Sequence, residues 1–178
     1  MKPGFIHLRL HTEYSLSDGL IQIECLIDKA QQYNMPAIAV TDQSNLFSVV
    51  KFYQAAVSAK IKPLLGADVW LENDKQPKEP YRLTLFCQNN QGYKNLLELI
   101  SRSFILGQAH QKAIIQRAWL KELAEGLLVL SGAEEGDIGK ALLAHNTTQI
   151  QPLLDFWLHY FPNRYYIELR RTGFPQQE

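Results

Sequence analysis

Apolar positions along this chain follow two rhythms that alternate. Residues 5–10 read as a short strand. Ser17, Asp18 and Gly19 then stop the chain and offer an N-cap, and Leu20, Ile23, Leu26, Ile27 and Ala30 recur at helical spacing. After Met35-Pro36, the unbroken run 37–40 predicts a parallel strand buried on both faces. Ser44-Asn45 is placed to cap a second helix with Leu46, Val49, Val50, Tyr53 and Val57 inward. A third strand runs over 63–71, a polar loop over 73–80, a fourth strand over 82–87 and a turn over 89–92. Tyr93, Leu96, Leu97 and Ile100 mark a helix, and a short helix over 119–124 ends at Gly126. A fifth strand over 127–130, helices over 138–143 and 150–160 and a sixth strand over 165–169 complete the pattern. Such alternation predicts an α/β fold with a mostly parallel sheet, either a barrel or a doubly wound sheet.

Composition narrows the class. The 178 residues are 46% hydrophobic and 20% charged, values of a folded domain, and the length suits a single domain over 1–178. Eighteen basic and eighteen acidic residues cancel, which excludes a strongly basic chain built to grip nucleic acid by its backbone. Lys112, Arg117, Lys121, Arg170 and Arg171 could form a local patch, but solvated surface charges explain them as well. No apolar run reaches membrane-span length, and nothing resembles a signal peptide, so no membrane partner is expected. Cys25 and Cys87 are expected to be reduced core residues of a cytoplasmic protein. Trp157, Tyr160 and Phe161 fall at helical spacing and suggest core packing rather than a partner site.

In parallel α/β folds, functional groups collect beyond the carboxyl ends of the strands. The polar residues there are His11, Thr12, Glu13, Ser15 and Asp18 after the first strand, and Thr41, Asp42 and Gln43 after the second. Asp68 lies within the third, and Ser131, Gly132 and Ala133 follow the fifth. Three acids and an imidazole could converge on one pocket suited to divalent metals and phosphoester hydrolysis. The competing readings are structural: caps or turns for Asp18 and Asp42, a solvated face for Asp68, a hydrogen-bonded core residue for His11. Arg9 cuts against a metal. It lies on the same side of its strand as His11, and its permanent charge would supply the cation itself, bonding Asp42, Asp68 or both.

The segment 7–19 resembles the first motif of the polymerase and histidinol phosphatase (PHP) domain family, in particular the branch that opens bacterial DNA polymerase III alpha subunits. Residues 41–46 and 61–68 resemble its second and third motifs, and 92–96, 125–132 and 164–168 continue the match in order. The resemblance implies a distorted (β/α)7 barrel, here incomplete at its C-terminus and so left with strand edges prone to self-association. Active members are metal-dependent phosphoesterases, some acting as 3′–5′ exonucleases. This chain departs from their pattern: Arg9 stands where the first histidine of a His-x-His pair is usual, Gln43 where a histidine is usual, and Asp68 where a glutamate is usual. Gly132 or Ala133 stands where a Cys or His ligand is usual, while Asp18 is kept.

The resemblance therefore implies a vestigial pocket of Arg9, His11, Asp18, Asp42, Gln43 and Asp68, with no catalytic residue, metal or cofactor in this segment. It implies a scaffold that docks the proofreading exonuclease subunit and the remainder of the polymerase. The parent would be a DNA-directed DNA polymerase, a nucleotidyltransferase of DNA replication, and would meet DNA chiefly through its other parts. The alternatives are a zinc- or manganese-dependent phosphoesterase or exonuclease using His11, Asp18, Asp42 and Asp68, or an unrelated α/β metabolic enzyme.

Overall fold

The computed structural model describes residues 5–16, 18–170 and 173. The cap expected at Ser17, the basic position Arg171 and the last residues, 174–178, lie outside the described residues. The chain divides into two compact units, Met1–Asp68 and Val69–Glu178.

The first unit holds α1 (Ile23–Gln32), β1 (Ala37–Val40), α2 (Val49–Ser58) and most of β2 (Lys62–Leu71). β1 pairs in parallel with β2, Ala37 opposite Lys62 through Val40 opposite Leu65, and is buried at all four positions. Residues 7–10 are not a regular strand, yet they lie against the other edge of β1. Ala39 N donates to His7 O at 3.1 Å, and Thr41 N to Leu10 O at 2.9 Å. That pairing fixes the height at which Arg9 and His11 leave the backbone.

On α1, Ile23, Leu26, Ile27 and Ala30 are buried, the stripe that the spacing predicts. Leu20 is outside the helix and exposed, and Cys25 falls on the outer face, so it is no core residue. On α2 the inward stripe is Val49, Phe52 and Ala56. Val50, Tyr53 and Val57 are at least half exposed, contrary to the sequence expectation. Both stripes have helical spacing on a helix that is apolar nearly all round. Periodicity cannot rank them, and the phenyl ring of Phe52 takes the interior.

The second unit contains β3 (Tyr81–Cys87), α3 (Asn90–Ile105), β4 (Gln108–Ala109), β5 (Lys112–Ile115), α4 (Arg117–Glu122), β6 (Leu127–Leu130), α5 (Asp137–Leu143), α6 (Thr147–Tyr160) and β7 (Tyr165–Tyr166). The last residues of β2 pair in parallel with β5, Trp70 opposite Ile114. β6 pairs in parallel with β7 and antiparallel with β3, and β4 is antiparallel to β5. The strand path β4-β5-β2-β3-β6-β7 is open at both ends among the described residues, and the sheet is more mixed than the expected mostly parallel one. β7 is shorter than predicted, and Cys87, at the end of β3, is half-buried, with its thiol pushed up to about 12 by burial.

Trp157 and Phe161 are fully buried, and Trp157 stacks on Tyr165 with ring centroids 4.9 Å apart. The indole N–H of Trp157 donates to buried Asp137 at 2.9 Å, and Arg117 donates to the same oxygen at 2.8 Å. Arg117 is thus spent on packing α4, α5 and α6 together. Lys112 lies 3.9 Å from the Trp70 ring centroid, and Lys121 sits over Phe156 and Tyr160. These members of the basic set are engaged within the unit rather than lined up on a bare face.

Candidate functional site

All six pocket residues predicted from the sequence belong to the first unit. Their arrangement starts with a loop. After residue 10 the chain makes a 3-10 turn, Glu13–Ser15, and returns so that Thr12 bridges Ile21 and Glu13 N donates to Ile21 O at 3.0 Å. Gly19 lets the two limbs close. A Cβ there would lie 1.7 Å from Thr12 O, so any other residue would force the limbs apart. The closed loop sets Asp18 beside His11. Asp18 makes no helix cap; α1 begins at Ile23 behind Gln22.

Two clusters result. In the first, Arg9 Nε donates to Asp68 Oδ2 at 2.6 Å, and His11 Nε2 reaches the same oxygen at 2.9 Å. His11 Nδ1 lies 2.9 Å from Asp18 Oδ2. Asp68 is fully buried, whereas Asp18 is exposed. An ionised carboxylate only accepts, so the protonated ring, which donates from both nitrogens, is the form that satisfies both contacts. Burial alone would lower the His11 pKa, but the hydrogen bond and charge of Asp68, then those of Asp18, outweigh it, and the net shift is upward. The Arg9 guanidinium and the His11 ring thus share one buried carboxylate oxygen.

In the second cluster, buried Asp42 accepts from Thr12 N at 2.6 Å, Thr12 Oγ1 at 2.9 Å, Ser15 Oγ at 2.9 Å and Ser48 Oγ. Asp42 therefore ties the 3-10 turn to the end of β1 and the start of α2. Gln43 N donates to Ser15 Oγ at 3.0 Å, and its side-chain amide to Asp68 O at 3.1 Å, so Gln43 staples the two clusters. Of the two expected partners of Arg9, Asp68 is the one it meets, while hydroxyls hold Asp42. Ser48 had no signal in the sequence beyond standing before α2. It occupies the N-cap, yet its hydroxyl serves Asp42 and not the helix.

This donor set, as arranged, does not fit a divalent ion. A ligating imidazole needs an unprotonated nitrogen, and both nitrogens of His11 are committed to carboxylates. One oxygen of Asp68 already meets both the Arg9 guanidinium and the His11 ring, and both oxygens of Asp42 carry hydroxyls. Among the described residues no group of three or more His, Cys, Asp or Glu side chains is disposed to hold a metal.

The protonation of His11 has a measurable sign. Its folded value lies above the 6.5 of a free imidazole, so its contribution to stability is fully present below that pH and is lost as pH rises through the folded value. Urea midpoints should therefore fall as pH rises through that window, and His11→Gln should flatten the fall. An unchanged slope in the variant would place the pH effect elsewhere.

The family model for the PHP domain matches residues 7–172. The chain is 50% identical, over its whole length, to a DNA polymerase III subunit alpha of Pseudomonas fluorescens. It is 45% identical over 99% of its length to that of Escherichia coli K12. It spans about 15% of the length of these curated relatives. Among solved structures, a provisional metal-dependent phosphoesterase from Bifidobacterium adolescentis superposes with a TM-score of 0.51 at 11% identity, covering 97% of this chain and 90% of that one. An amidohydrolase from Chromobacterium violaceum, solved with sulfate and no metal, gives 0.50 at 12% identity, covering 91% and 84%. Identities this low speak to the fold alone, a mixed α/β architecture of the PHP type.

Proposed function

This chain belongs to the PHP domain family, and on that premise we propose that residues 1–178 form a single PHP segment, the N-terminal part of a cytoplasmic bacterial DNA polymerase III alpha subunit. Identities of 37–50% to such subunits across nearly the whole chain support the assignment. In this reading, nucleotidyl transfer and the main grip on DNA belong to parts of the parent polymerase outside the segment. The segment itself is a metal-free, catalytically inactive scaffold and a docking site for the separate proofreading exonuclease subunit.

The observation that carries the inactive reading is the guanidinium of Arg9 on the buried Asp68 carboxylate. A permanent cation there does the charge-neutralising work of an ion and offers no open coordination position to a substrate oxygen. No helix among the described residues is long and apolar enough to cross a membrane.

Elemental analysis of the mildly purified chain, with a pull-down by the proofreading subunit, tests both halves. Substoichiometric metal and retention of the subunit are expected. Stoichiometric zinc or manganese with phosphodiester hydrolysis would establish the metal-dependent phosphoesterase instead. Failure of the pull-down alone would remove the docking role and leave the scaffold.

A further inference from the structure

The loop that follows β6 combines a strained backbone with an ionic restraint. Gly132 (φ +76) and Ala133 (φ 50) are consecutive left-handed residues. Glycine adopts that conformation freely, but an alanine there is strained by its Cβ against the backbone. The loop is also pressed flat, since a Cβ on Gly132 would lie 2.0 Å from the carbonyl oxygen of Arg82. Strain of this kind persists only where surrounding contacts over-determine it.

Two arginines supply such contacts. Arg170 Nη1 bonds Glu134 at 3.1 Å and Glu135 at 3.5 Å, and Arg82 Nη1 bonds Glu135 at 3.4 Å. Glu135 is thus shared by a residue of β3 and by the stretch 167–170 beyond β7. The same stretch reaches the loop through its backbone, because Glu168 N donates to Ser131 Oγ at 2.9 Å, while Ser131 N donates to Tyr166 O at 3.0 Å. Both contacts of Glu135 are long, at 3.4 and 3.5 Å, and the two acids are partly exposed, so solvent competes for them.

We propose that residues 131–136 are a spring-loaded strand-end loop, clamped by Arg82 and Arg170, whose shape is set by the path of the chain beyond β7. Drawing 167–170 away releases the clamp and lets Ala133 leave its left-handed conformation. The loop becomes a conformational relay between the exit of the chain and the strand ends of the second unit.

Hydrogen exchange on the whole chain tests the relay. The reporters are the amides of Glu135 and Gly136, which bond Gly132 O at 3.1 Å and Ala133 O at 3.3 Å. Arg170→Ala should speed their exchange about tenfold while α3 stays protected. Glu135→Gln, which removes the charge both arginines share, should act in the same direction. Arg102→Ala, which breaks the exposed pairs of Arg102 with Glu98 and Glu122, should leave the loop unchanged. Adding Ala133→Gly to Arg170→Ala should restore protection, because glycine removes the strain that drives opening. Unchanged loop exchange in Arg170→Ala and Glu135→Gln would overturn the proposal. So would an increase spread evenly over α3, or a failure of Ala133→Gly to restore protection.

Discussion

Arg9→Ala should destabilise the first unit by about 3–5 kcal/mol, the cost typical of removing one partner of a buried ion pair. Its partner decides the magnitude: Asp68 is fully buried and the Arg9 side chain is only 17% exposed. The Arg102 pairs, with carboxylates half exposed or more, are screened by solvent and should contribute far less by comparison. His11 modulates the loss. Its imidazolium donates to the same Asp68 oxygen, so below the His11 transition the carboxylate keeps one cation and the lower end of the range applies. Above the transition it keeps neither of these two, and the upper end applies. Urea unfolding across pH reads both regimes. A double-mutant cycle with Asp68→Ala should show strong coupling. If Arg9→Ala unfolds like the unaltered chain at high pH, the guanidinium is not what holds the carboxylate in place.

The contact between Arg9 and Asp68 was within reach of the sequence because strand side chains alternate. Once 7–11 is read as extended, Arg9 and His11 share a side, and the adjacent strand ends offer only a few acids to meet them. The same logic could not choose between Asp42 and Asp68. That choice rests on three hydroxyls, two in the 3-10 turn region and one before α2, and hydroxyl orientation leaves no periodic trace.

Helix α1 was legible since its apolar stripe is flanked by polar residues. On α2 the periodicity is ambiguous for the opposite reason: too many apolar positions compete, and the buried stripe is Val49, Phe52 and Ala56. The β4–β5 hairpin carries no turn signal in the sequence. Its turn is His110-Gln111, both at positive φ, where Asn-Gly or Asp-Gly would have been the signal. β5 itself offers only Ala113, Ile114 and Ile115 as an apolar run, too short to separate from a loop. Cys25 is exposed because it lies opposite the buried stripe of α1, and that placement outweighs a cysteine's general preference for burial.

Asp42→Ala should be as costly as Arg9→Ala, by a different route. No cation is involved. The carboxylate is 1% exposed and accepts from one backbone N–H and three hydroxyls. Alanine would leave those donors facing a small cavity, and each unsatisfied buried donor costs about 1–3 kcal/mol. The hydroxyls can turn to other acceptors, whereas the Thr12 amide has fewer choices, so the sum falls short of additive and about 3–5 kcal/mol is expected. Asp42→Asn should recover part of this, since its carbonyl oxygen can still accept from Thr12 N and the hydroxyls can rotate to accept from its NH2 group. Ser15→Ala should cost about 1 kcal/mol, one hydrogen bond's share. The two clusters separate in a cycle: Arg9 with Asp42 should couple far more weakly than Arg9 with Asp68. Equal coupling in the two cycles would mean that the guanidinium serves both acids. In that case Asp42 would be held by charge, and Asp42→Asn should then cost nearly as much as Asp42→Ala.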